Sequence, residues 1–258
     1  MKLAVWAPGH TQAALKHGNL LLSGAPGSGK SELLRTALIP ALLSSGTQVL
    51  VIDPGDVLGA KPAAPTQTPL RRLVLGSADA PASAGELLKS SCLVTFDCPR
   101  IQRDARCELL LQALHGELSK HPLSPGRKRV LVLDIPQATG AMPTLELMIR
   151  NAGRLGFSVV ATCQSPSSLD EATLATFQSH IGFYHFFKRC LRRMARQLLH
   201  TTGEASGNDT DKPAPLNLYG QPMATPISRL AGELAQLKVG ECILGIPGCK
   251  LEKLRVRG

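Results

Sequence analysis

One octapeptide constrains this chain more than anything else in it. Gly24-Ala25-Pro26-Gly27-Ser28-Gly29-Lys30-Ser31 matches G-x-x-x-x-G-K-[ST] in full. The pattern has physical meaning only between a strand and a helix, and both neighbours fit. Residues 19–23 are a short apolar run, and residues 31–44 place Leu33, Leu34, Ala37, Leu38 and Ala41 at a 3.6-residue period. Glycines let the chain curl until successive backbone N–H groups point inward, which makes a nest for phosphate oxygens. The helix that begins near Lys30 presents its positive dipole end to the same anion. In such a loop Lys30 reaches the β- and γ-phosphates, and Ser31 gives a hydroxyl to Mg²⁺. Residues Gly24 through Ser31 are therefore expected to bind ATP with Mg²⁺.

Strand-length apolar runs alternate with longer helical patterns along the rest of the chain. Residues 48–52, 92–96, 129–133 and 158–162 read as buried strands, and 104–120 and 144–154 as helices. This alternation predicts right-handed βαβ units and an α/β fold: a central, mainly parallel sheet flanked by helices. Residues 227–234 suggest a short helix, followed by β runs at 241–244 and 251–256 and a small C-terminal β hairpin with its turn at 245–250. Two stretches read as loops, 59–68 and 201–226, the second expected to be a mobile surface loop.

Composition narrows the class. The chain has 258 residues, 43% of them hydrophobic, enough for a substantial core. No run of about 18 apolar residues exists, and the apolar start before Pro8 is too short for a signal peptide. Seven cysteines without a C-x-x-C pair argue against a disulfide framework or structural zinc, so a cytoplasmic protein is expected. Lys and Arg exceed Asp and Glu by 29 to 19, a net charge of +10. That excess attracts polyanions, nucleic acid first among them, although it also serves plain solubility. At 3% aromatic, the chain is poorly equipped to stack many single-stranded bases.

A phosphate loop needs an acidic partner at the end of a buried strand. Asp134 closes the run Arg129-Val130-Leu131-Val132-Leu133 and is the expected holder of Mg²⁺. Many ATPases place a water-activating Glu directly after this Asp; here Ile135 and Pro136 follow. Glu146 could substitute only if its helix packs back over the site. Binding is thus more firmly indicated than hydrolysis. No Asn-Lys-x-Asp motif is present, which excludes the usual GTPase base reader, and the C-terminal hairpin differs from a helical AAA+ lid.

The strand at 158–162 runs into Cys163-Gln164-Ser165-Pro166. With the Asp53-Pro54-Gly55-Asp56 turn, with Arg150, Arg154 and Gly156 before the sensor strand, and with Leu237 to Leu244 near the end, the chain resembles the HerA–FtsK superfamily of hexameric translocases. Conjugative coupling proteins and type IV secretion motor ATPases are the members it most resembles, over residues 18–258. Cys163, inserted between Thr162 and Gln164, departs from the A-T-Q-S pattern, and the extra helical domain of larger members is missing. The resemblance implies that the sensor strand lies beside the phosphate-loop strand and that Gln164 senses the γ-phosphate or the attacking water. It also implies that Arg150 or Arg154 acts in trans as an arginine finger, a solvated helix face being the plain alternative. A turn or cap role accounts for Asp53 and Asp56.

Arg189, Arg192, Arg193 and Arg196 fall at i, i+3, i+4 and i+7, which puts four guanidinium groups on one helical face. A DNA backbone, a neighbour's acidic surface or a neighbour's nucleotide would relieve their repulsion; a solvated face is the alternative. The aromatic run at residues 183–187 reads as a core strand, with His185 packed inside it. Taken together, the expectation is one RecA-like P-loop NTPase domain over residues 1–258 that binds ATP and Mg²⁺, assembles into a ring, as a hexamer, and moves DNA in conjugative transfer, packaging or a related process. A secretion-type ATPase working with transfer or secretion machinery on protein or pilus subunits, and a weakly hydrolysing assembly module, are the alternatives.

Overall fold

Unbroken apolar runs such as Leu20-Leu21-Leu22 and Val130-Leu131-Val132-Leu133 have no polar face to turn toward water, so they fold as strands covered on both sides. The computed structural model describes residues 3–5, 9–10, 18–58, 70–76, 84–121, 128–134, 143–164, 181–187, 226–245 and 251–256, with Ala7, Leu15, Thr176 and Leu199. Among these residues ten strands form one sheet. They are β1 (Leu3–Val5), β2 (Asn19–Ser23), β3 (Gln48–Ile52), β4 (Arg71–Leu75), β5 (Cys92–Phe96), β6 (Arg129–Asp134), β7 (Phe157–Cys163), β8 (Ile181–Phe187), β9 (Glu241–Gly245) and β10 (Glu252–Arg255). Their order is β1-β10-β9-β8-β2-β7-β6-β3-β5-β4. From β8 to β4 every neighbouring pair is parallel.

The alternation along each strand sorts the core into two layers. Leu21, Leu50, Ile52, Leu131, Leu133 and Val159 pack on one face beneath three helices. These are α3 (Arg100–Lys120), α4 (Pro143–Leu155) and α5 (Pro226–Ala235), with the short α2 (Ala84–Leu87) beside them. Leu20, Leu22, Val49, Val51, Val130 and Val132 point the other way, onto Leu33, Leu34, Leu38 and Leu42. Those leucines belong to α1, which runs through Lys30–Leu33, a π-helical stretch Leu34–Leu38, and Ile39–Ser44. The π stretch ends two positions before Pro40, whose ring nitrogen has no hydrogen to give the preceding turn.

The fold expected from the sequence is the fold observed, with differences at the margins. Helix α3 begins at Arg100, just after Pro99, four residues earlier than the apolar spacing indicates. The C-terminal hairpin forms as an antiparallel β9–β10 pair, and it is also an extension of the main sheet, because β9 pairs antiparallel with β8. Strand β1 then adds to β10 in parallel. Strands β1 and β4 were not expected. Both are sheet edges, and β4 carries exposed Arg71 and Arg72, charges that guard an open edge and break the apolar run. The stretch expected as a loop at 59–68, that at 201–226 except Pro226, which instead opens α5, Ile135, Pro136, residues 165–175, and all four of Arg189, Arg192, Arg193 and Arg196 lie outside the described residues. So do the side chains of β8, His185 among them. Among the described residues, no helix is long and apolar enough to cross a membrane.

Candidate nucleotide site

Strand β2 sits inside the sheet, between β7 and β8, and the glycine-rich loop leaves its C-terminal end. Gly24 extends the ladder one step by donating its N–H to the carbonyl of Cys163 at 3.1 Å. Gly27 and Gly29 then take φ of 70° and 108°, which side chains with a Cβ resist, and the turn closes with Ser28 N–H on Ala25 O at 3.2 Å. Helix α1 starts at once, Leu33 N–H donating to Gly29 O at 2.9 Å. Lys30 is only 5% exposed, and its ammonium folds over the loop to donate to Gly24 O at 2.6 Å and Ala25 O at 3.1 Å. Burial holds it below the ordinary lysine range, with Asp134 pulling the other way.

Three hydroxyls converge on this end of the sheet. Ser31 Oγ donates to Asp134 Oδ2 at 3.0 Å, and Thr162 Oγ1 donates to Asp134 Oδ1 at 2.6 Å. Asp134 is fully buried, and its register partner across β6 and β7 is Thr162. The third, Ser28 Oγ, is buried within the loop and has no hydrogen-bond partner. A buried hydroxyl without a protein partner, beside a ring of backbone N–H groups and an ammonium, suits a phosphate oxygen. The oxygens of Ser31 and Asp134 suit a hard divalent cation such as Mg²⁺, whose other ligands would come from phosphates and water. Among the described residues no group of three or more His, Cys, Asp or Glu could hold a metal by itself.

Asp53, one residue past β3, is a further buried carboxylate at this end of the sheet. Its Oδ2 accepts the Leu58 N–H at 2.6 Å, and its carbonyl accepts Asp56 N–H at 3.1 Å, so it does organise a turn. Oδ1 is buried without a partner. Burial raises its pKa to about 6; the Leu58 and Val57 N–H groups oppose the shift, and Asp134 and Asp56 add to it. Asp56 adopts φ 53° in that turn and pairs with Arg72.

The sheet brings Gln164 to the loop, since it follows the Cys163 that Gly24 bonds; it is half-buried there. The Cys163 thiol is pushed up to about 11, chiefly by burial, so it is a neutral packing group. The arginines of α4 lie elsewhere. Arg154 is exposed, donates to Asn151 Oδ1 at 3.2 Å, and precedes the start of β7. With seven residues in β7 at about 3.3 Å each, it sits roughly 20 Å from this chain's own loop. Arg150 pairs with Glu146, which also accepts the Thr176 hydroxyl at 3.1 Å.

No protein-family model matches the sequence, and no curated protein is similar to it in sequence. Solved structures are similar in fold. The genome-packaging NTPase B204 from Sulfolobus turreted icosahedral virus 2, in complex with AMPPCP, is 14% identical, with a TM-score of 0.54 over 94% of this chain and 99% of that one. The bacterial conjugative coupling protein TrwB is 12% identical, with a TM-score of 0.61 over 99% of this chain and 94% of that one. TrwB in complex with ADP and Mg²⁺ is 13% identical, with a TM-score of 0.59 over 100% of this chain and 90% of that one. The fold is that of these P-loop ATPases. The resemblance drawn from the order of the motifs is thus borne out in the fold, over nearly the whole chain.

Two parts of the site escaped sequence reasoning. Thr162 was visible only as a member of the sensor strand; its bond to Asp134 depends on the β6–β7 register. The second is the turn before β9, where Gly240 donates its N–H to Ser28 O at 3.0 Å.

Proposed function

We propose that this chain is an ATP-driven motor of the HerA–FtsK kind that moves DNA. The observation that carries the reading is the meeting of Lys30, Ser31, Asp134 and Thr162 at the C-terminal end of β2, beside the strand that leads into Gln164. ATP is the substrate, and Gly24, Ala25, Pro26, Gly27, Ser28 and Gly29 wrap its phosphates. Lys30 exchanges its two carbonyl acceptors for phosphate oxygens, which return to it the charge compensation that burial withholds. Ser31 and, through water, Asp134 would hold Mg²⁺, while Thr162 keeps the Asp134 carboxylate turned toward Ser31. Mg²⁺, when bound, supplies charge neutralisation on the phosphate oxygens. Gln164 orients the attacking water. Arg154, remote from its own loop and bonded only to Asn151 among the contacts described, serves a neighbour's nucleotide in a ring.

The DNA side rests on the net charge of +10, on the i, i+3, i+4, i+7 spacing of Arg189, Arg192, Arg193 and Arg196 in the sequence, and on the fold shared with a genome-packaging NTPase and a conjugative coupling protein. Steady-state ATPase rate with and without double- and single-stranded DNA, beside Lys30→Ala as the blank, tests the reading. DNA-stimulated turnover well above the blank is expected. Tight ATP binding with no turnover on any DNA defeats it.

A second reading, a nucleotide-switched assembly module with slow turnover, has its own observation. Ile135 stands where a catalytic Glu is usual, and Glu146 is committed to Arg150 and Thr176. Under this reading Ile135→Glu sharply raises a low basal rate.

A further inference from the structure

The phosphate loop forms one wall of a cavity of about 480 Å³. The remaining walls have a different chemistry. Val57 and Leu58 come from the turn after β3, Val239 from the turn before β9, and Val256 from just past β10. Val239 is 72% exposed and Val57 45%. Two large apolar side chains are therefore held in water at the rim of an otherwise polar, anion-seeking loop, a placement that costs free energy until something apolar covers them.

Their position is built rather than incidental. The turn that carries Val239 is bonded to the phosphate loop itself, Gly240 N–H to Ser28 O at 3.0 Å, and Val256 N–H donates to Gly240 O at 2.9 Å. Glu241, 2% exposed, anchors the same turn: it accepts Lys238 N–H at 3.2 Å and pairs with Arg255 at 2.7 Å and Lys253 at 3.1 Å. Whatever lies in the loop therefore meets Val239 at a fixed offset.

A nucleoside triphosphate seated by its phosphates must place its sugar and base beyond them, in the part of the cavity that is apolar. Resting on the nucleotide reading above, we infer that Val239, with Val57 in support, is the wall against which the base lies, so that the base is held by its ring face and not read at its edge. At the turn itself the Gly240 N–H is given to Ser28 and the Gly240 carbonyl to Val256, and across the cavity Arg35 pairs with Glu32 at 2.6 Å. Apolar area is what the turn has to offer, and both purines present the same area.

The test measures binding of ATP, GTP and inorganic tripolyphosphate, each with Mg²⁺, to the full chain by calorimetry. Val239 is a surface residue, so its variants keep the fold, and a thermal melt confirms it. Val239→Ser is expected to weaken ATP and GTP alike by about fivefold, the scale of a partly covered valine, and to leave tripolyphosphate within about twofold. Val239→Tyr is expected to tighten both nucleotides by about threefold through ring contact. Any of three outcomes overturns the inference: unchanged ATP affinity in Val239→Ser, an equal loss for tripolyphosphate, or a sedimentation shift in that variant without a change in nucleotide affinity. Wild type that binds ATP over a hundredfold tighter than GTP also overturns it, since that is edge reading. Wild type that binds none of the three probes removes the nucleotide reading itself.

Discussion

The Ser31 hydroxyl donates to Oδ2 of Asp134 at 3.0 Å, joining a helix N-terminus to a strand end 103 residues away. The two groups that would hold Mg²⁺ are thus already hydrogen-bonded to each other, so the loop and the strand end are positioned before any cation arrives. This gives a separation of roles. Lys30→Ala should weaken ATP binding at least tenfold with or without Mg²⁺, the loss of a charge-assisted contact. Asp134→Asn should leave Mg²⁺-free binding near wild type and lose the affinity that Mg²⁺ adds. Nucleotide titrations at several Mg²⁺ concentrations read both, and an Asp134→Asn variant that keeps the full Mg²⁺ gain removes Asp134 from the metal site.

Thr162 completes the arrangement from the neighbouring strand. Its bond to Asp134 Oδ1 leaves Oδ2 turned toward Ser31. Thr162→Val keeps the shape and removes the donor, leaving a fully buried carboxylate oxygen unsatisfied, a loss of about 1–3 kcal/mol in stability. If Thr162 also steers the carboxylate, turnover falls about tenfold with ATP affinity little changed, whereas Thr162→Ser restores it. Equal turnover in Thr162→Val and wild type would reduce the residue to a packing role.

How much of this was legible in the sequence follows from where each interaction lives. Strands β3, β5, β6 and β7 are buried on both faces, so each is a mostly apolar, β-branched-rich run too short for a typical helix. The loop and its lysine are legible because their chemistry is local: eight successive residues make the nest. Asp134 is legible as an acid at the end of such a run. Thr162 is not, because only the β6–β7 register pairs it with Asp134. Val239 is not either, because a lone valine in a polar turn carries no sign that the turn bonds to Ser28. Edge strands β1 and β4 fail for other reasons: β1 is only three residues long, and β4 opens on the exposed charges of Arg71 and Arg72. Asp53 is intermediate: its turn role was visible, its burial was not.

Burial makes Asp53 a pH-dependent burden on the fold. The folded chain holds its proton with a pKa of about 6, against 3.8 for an ordinary aspartate. Between those values the unfolded chain gives up the proton first, so this group's contribution to stability falls as pH rises from about 4 to about 6 and stays low above. Below about 4 the deficit is absent. Asp53→Asn keeps an acceptor for the Leu58 N–H and removes the charge, so it should be more stable than wild type at pH 8 by up to roughly 3 kcal/mol. That gain should fade as pH falls toward 4. Chemical denaturation across pH 4–8 measures it, and a variant less stable than wild type at pH 8 would show that the charge is used, most simply by the site Asp53 borders.

Glu241 has the opposite sign. Burial pushes its pKa up, but Arg255, the Lys238 N–H and Lys253 outweigh that and hold it at about 2. The folded pKa lies below the ordinary 4.5, so the stability it contributes is fully present above about 4.5 and is lost as pH falls through about 2. Both cations are partly in water, which keeps the contribution at neutral pH to about 1–2 kcal/mol. Glu241→Gln should therefore melt earlier than wild type at pH 7, with the gap closing as pH approaches 2. Because Glu241 anchors the turn that Gly240 ties to Ser28, the same variant should also weaken ATP at neutral pH, by about twofold to threefold, in proportion to the looseness of the turn. Tripolyphosphate, which needs only the loop, should bind the variant and wild type equally; a matched loss for both ligands would mean that the hairpin shapes the phosphate loop itself and not only the surface beyond it.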